Sequence, residues 1–90
     1  MNDGYKVVRE YTPKGGIYSN PDSLTVEITL ALLEGGYQGG GYIKGNGSVP
    51  ELLEEWNQLL RAQNPPMKVE IYENTILVYI QNGKPKRYGI

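Results

Sequence analysis

Ser48 and Glu51 stand three residues apart at the head of an apolar series, Val49, Leu52, Leu53, Trp56, Leu59 and Leu60. No other segment restricts this chain's conformation so tightly. A Ser-x-x-Glu pair satisfies two backbone donors at a helix start, Pro50 suits the first turn, and the spacing lays every apolar residue on one stripe. The pattern predicts a helix from Val49 to Gln63, stopped by Asn64-Pro65-Pro66. Glu51, Glu54 and Glu55 near its start and Arg61 near its end match the helix dipole, so these charges are explained without a function. Trp56, in the middle of the stripe, is expected in the core rather than as a platform for a ligand.

A stripe of this kind must be covered, and the C-terminal third supplies the cover. Met67–Glu73 and Ile76–Gln81 read as antiparallel strands joined by a turn at Asn74-Thr75. Met67, Val69, Ile71, Ile76, Val78 and Ile80 would form the apolar face, with Lys68, Glu70, Tyr72, Leu77, Tyr79 and Gln81 opposite. Asn82-Gly83 signals another tight turn, returning Lys86–Ile90 as a short edge strand. Residues 5–11 read as a further strand, with Tyr5, Val7, Arg9 and Tyr11 on one face and Lys6, Val8 and Glu10 on the other.

Residues 24–33 carry two signals. Leu24, Val26, Ile28, Leu30 and Leu32 alternate with Thr25, Glu27, Thr29 and Ala31, as in a long strand. Leu24, Ile28, Ala31 and Leu32 also fit a helical face, with Asp22 or Ser23 as a cap and Glu34-Gly35-Gly36 as an end. The length of the alternation and its Thr and Ile content favour the strand. The expected fold is therefore a single α+β domain over residues 1–90, an antiparallel sheet of four to five strands with one amphipathic helix packed on one face.

Composition narrows the function. At 90 residues the chain is too short for separate cofactor and substrate domains, and it contains neither Cys nor His. The commonest metal ligands and general base are thus absent, and Glu54 and Glu55, the only adjacent carboxylates, point apart on a helix. No enzyme activity, cofactor or metal is expected. A net charge of −1 argues against coating nucleic acid, and the absence of any long apolar run argues against a membrane and for the cytoplasm.

Three groups of residues remain as candidate sites. Tyrosine supplies eight of the nine aromatics, and such rings suit wet boundaries and interfaces. Tyr72 and Tyr79 on the outer sheet face, with Tyr37 and Tyr42 in the glycine-rich segment 35–47, are the candidate partner contacts. That segment holds seven of the twelve glycines, and with Lys44, Gly45, Asn46, Gly47 and Ser48 it leads into a helix start that could take a small anion. The phosphate-loop and dinucleotide-binding glycine patterns are both broken there. Lys84, Lys86 and Arg87 beside Tyr88 form the only basic cluster, a candidate for single-stranded nucleic acid. The leading expectation is a non-enzymatic protein that binds another protein or a second copy of itself, as a small inhibitor or adaptor. The alternatives are a nucleotide or small-phosphate binder and a weak single-strand binder.

Overall fold

A computed structural model describes residues 4–16, 20–39, 41–45 and 47–81. The elements are β1 (Tyr5–Tyr11), α1 (Pro21–Glu34), α2 (Val49–Leu60), β2 (Met67–Tyr72) and β3 (Thr75–Gln81). The strands form one antiparallel sheet in the order β1-β3-β2, and both helices pack on its apolar side. The α+β class holds, but the described residues contain three strands and two helices, not four to five strands and one helix. The expected strand Lys86–Ile90 and the turn at Asn82-Gly83 lie outside the described residues.

The main correction is α1, where residues 24–33 are helix rather than strand. Asn20 caps the helix by accepting from the Asp22 N–H at 2.8 Å, and Pro21 opens its first turn. At the other end the Tyr37 N–H reaches Leu32 O and the Gly36 N–H reaches Leu33 O, with Gly36 at a φ of 108°. That is the Schellman arrangement, and glycine meets its left-handed backbone without strain. The helix buries Leu24, Thr25, Ile28, Ala31 and Leu32. Val26, Leu30 and Leu33 lie on its opposite side and are 48%, 50% and 53% exposed. The strand-like alternation therefore comes from two helical ladders at i+4 spacing, Leu24-Ile28-Leu32 facing in and Val26-Leu30 facing out, offset by two residues.

The second helix follows its sequence closely. Ser48 Oγ accepts from the Glu51 N–H at 3.3 Å and the Glu51 carboxylate accepts from the Ser48 N–H at 3.0 Å, completing the capping box. Leu52, Trp56 and Leu60 are fully buried, and the helix ends at Leu60, one turn short of the expected Gln63. Asn57 on this helix binds both polar backbone groups of Val69, donating to its carbonyl at 3.0 Å and accepting from its N–H at 2.8 Å. Because β2 lies at the edge of the sheet among the described residues, those groups would otherwise be open to another chain.

In the hairpin, Met67 pairs with Ile80, Val69 with Val78 and Ile71 with Ile76, so the two faces fall as the alternation predicts. The turn sits one residue earlier than expected, at Glu73-Asn74, with φ of 49° and 64° at its two central positions. Two left-handed residues in a two-residue loop match the right-handed twist of the strands. In β1 the register slips between Val7 and Arg9, so Val8 is bulged. Arg9 and Tyr11 consequently share the core-side register with Val78 and Ile76, whereas Val7 pairs with Tyr79 on the outer side. Tyr5, Val7, Arg9 and Tyr11 thus do not share one face. Arg9 uses its placement to reach back to α1, its Nε donating to Glu34 Oε1 at 2.6 Å.

Candidate functional site

Trp56 is the centre on which the glycine-rich segment is fastened. Its ring is fully buried, and its indole N–H donates to Thr25 Oγ1 at 3.0 Å. The Thr25 hydroxyl in turn donates to the Ile43 carbonyl at 2.6 Å. Tyr37 and Tyr42 both make T-shaped contacts with Trp56, with centroids 6.1 and 6.2 Å away, and the Tyr37 hydroxyl donates to Gly41 O at 2.8 Å. Tyr37 is 4% exposed and belongs to the core, whereas Tyr42 keeps about half its surface in solvent. Two glycines here serve close packing. A Cβ on Gly45 would stand 2.2 Å from Pro21 O, and one on Gly41 would stand 2.8 Å from Leu59 Cδ2.

The start of α2, flanked by Lys44, Gly45, Gly47 and Ser48, is filled from within the chain. The Glu51 carboxylate occupies it, as the capping box requires, and a groove of about 350 Å³ alongside is lined by Gly47, Glu51, Glu54, Glu55 and Gln58. Three carboxylates repel a phosphate, and Lys44 is not among the lining groups. A second cavity of about 150 Å³, lined by Gly36, Gln38, Gln63, Asn64, Pro65, Met67 and Ile80, is smaller than the roughly 300 Å³ at which ligand pockets begin. Among the described residues no three His, Cys, Asp or Glu side chains gather as a metal site would require. Asn46, Lys84, Lys86, Arg87 and Tyr88 lie outside the described residues, and no described helix is long and apolar enough to cross a membrane.

The outer sheet face does bring Tyr72 and Tyr79 to one side, as the register requires. Tyr79 is already engaged: its hydroxyl donates to Glu70 Oε1 at 2.9 Å, and Lys68 Nζ lies 4.9 Å from its ring and 5.1 Å from that of Tyr5. Lys68 also approaches Glu70 to 3.6 Å. Partial burial, then the hydrogen bond and negative charge of Glu70, then the charge of Glu10, push the Tyr79 phenol above its usual pKa. Tyr72 remains 64% exposed at the end of the hairpin.

By contrast, the outer side of α1 carries aliphatic groups that stay about half exposed, with no described residue packed over them. Val26, Leu30 and Leu33 recur at i, i+4 and i+7, which confines them to an arc of about 60°. Asp22 borders that arc on one side, and Glu27 and Glu34 on the other. One oxygen of Glu27 is shut off from solvent and has no hydrogen-bond partner. Sequence reasoning missed these three residues because it assigned them to a strand. The second i+4 ladder was the signal that could have found them.

Comparison with protein-family models, with curated proteins and with solved structures finds no match to this chain.

Proposed function

We propose that this chain is a non-enzymatic binding protein that acts through protein contact, as a small inhibitor or adaptor. One observation carries the reading: α1 exposes Val26, Leu30 and Leu33 as a continuous stripe while its opposite side fills the core. Scattered exposed apolar residues are ordinary, but a stripe aligned along one helix has the form of an interface seam. The outer sheet face supports the reading less, because Lys68 and Glu70 already occupy Tyr79.

Native mass spectrometry of the chain purified from the cells that make it, compared with a Leu30→Ser, Leu33→Ser variant, tests this reading. The expected result is a polypeptide adduct on the parent chain that the variant loses. A parent chain carrying a small molecule, or carrying nothing, would remove the reading.

A further inference from the structure

We infer that the outer face of α1 receives a cationic amphipathic helix of another protein. The inference rests on the protein-contact reading and names the chemistry of the partner.

Geometry suggests the shape of the occupant. A straight apolar arc of about 60°, repeating at i, i+4 and i+7, is the seam that one helix offers to another. Charge selects its chemistry. The seam is bordered by Asp22 on one side and by Glu27 and Glu34 on the other, and neither α1 nor α2 contains a Lys or Arg. Arg9 already holds Glu34, which leaves Asp22 and Glu27 for a partner.

The same charges disfavour other occupants. A second copy laid antiparallel on this seam would bring carboxylates against carboxylates, with no cation from either helix to relieve them. Anionic lipid and nucleic acid meet the same repulsion. The exposed stripe amounts to at most a few hundred Å² of apolar surface, below the roughly 800 Å² per partner of a stable interface. The charged borders must therefore add to the binding.

The test is titration of the isotope-labelled full chain with a 14-residue Leu/Lys amphipathic helical peptide and with its Leu/Glu counterpart, followed by amide shifts. The Leu/Lys peptide should perturb residues 22–34 and bind at least tenfold more tightly than the Leu/Glu peptide. Leu30→Ser should weaken it about tenfold. Asp22→Asn with Glu27→Gln should weaken it severalfold and flatten its salt dependence. Leu30 is half exposed, so circular dichroism should show the variant folded; Val26→Ser is a second variant of the same kind.

Equal binding of the two peptides, shifts centred on the sheet, or no binding would overturn the inference. So would a dimer of the free chain that Leu30→Ser dissolves, since the occupant would then be a second copy and protein contact would stand. If the peptide fails while the natively purified chain holds a polypeptide that Leu30→Ser, Leu33→Ser releases, only the cationic helix is wrong. If no polypeptide is held at all, the protein-contact reading falls as well.

Discussion

Replacing Thr25 by Val keeps the side-chain shape and removes one hydroxyl, yet that hydroxyl joins three elements of the fold. It accepts from the Trp56 indole of α2, donates to the Ile43 carbonyl in the connecting segment, and is held by α1. Without it the indole N–H has no acceptor at a site of 0% exposure, which costs about 1–3 kcal/mol. The Ile43 carbonyl is only partly buried and can recover water, so its loss falls at the low end of about 0.5–1.5 kcal/mol. Burying an extra methyl offsets about 0.8 kcal/mol. The expected net cost is about 1–3 kcal/mol, or a fall of roughly 4–20 °C in Tm for a domain of this size. Urea unfolding followed by far-ultraviolet circular dichroism measures it, and serves equally for variants that lack Trp56, the only tryptophan. Trp56→Phe removes the same bond from the other side, so the double variant should be about 1 kcal/mol less destabilised than the sum. Trp56→Ala, which also leaves a cavity, should cost about 3–5 kcal/mol. A Thr25→Val cost below about 0.5 kcal/mol, or strict additivity with Trp56→Phe, would refute the idea that this hydroxyl pins the segment.

Gly45→Ala should destabilise by about 2 kcal/mol or more, because its Cβ would enter the Pro21 backbone; thermal unfolding measures this, and a neutral substitution would show that the two segments separate easily. Glu73→Asn should raise stability by about 0.5 kcal/mol, since Asn tolerates the left-handed backbone at this turn position better than Glu. Denaturant midpoints at unchanged slope would show it. The raised pKa of the Tyr79 phenol makes its contribution to stability complete below the unfolded-state value of about 10 and lost as pH climbs through the folded-state value. Glu70→Gln should lower the folded value without restoring it fully, because partial burial remains; carbon-13 resonances of labelled tyrosine rings follow the titration.

What the sequence disclosed divides along the range of the interactions involved. The cap and stripe of α2 are encoded within a few consecutive residues, and the hairpin faces follow from a two-residue period with one side buried, so both were legible. Residues 24–33 were not, because two opposed helical faces offset by two positions imitate a strand. The apolar outer face that misled the assignment is the surface now proposed for binding. Tyr37 gave no sign of being a core residue, since its burial depends on Trp56, nineteen positions onward in sequence. The glycines at 41 and 45 suggested backbone freedom, whereas they allow contact with Leu59 and with the start of α1. The bulge at Val8 is set by pairing with β3 and turns Arg9 toward Glu34.

The central claim is that the outer stripe of α1 is where this protein meets its partner, and site-specific photocrosslinking in the cells that make it tests that claim most directly. A benzophenone side chain at position 30 should yield a covalent adduct with a different polypeptide, joined within a segment whose Lys or Arg residues flank an apolar helical face. The same group at position 72, on the outer sheet face, should yield none. Adducts from position 72 and not from position 30 would contradict the claim and return the binding surface to the tyrosines of the sheet.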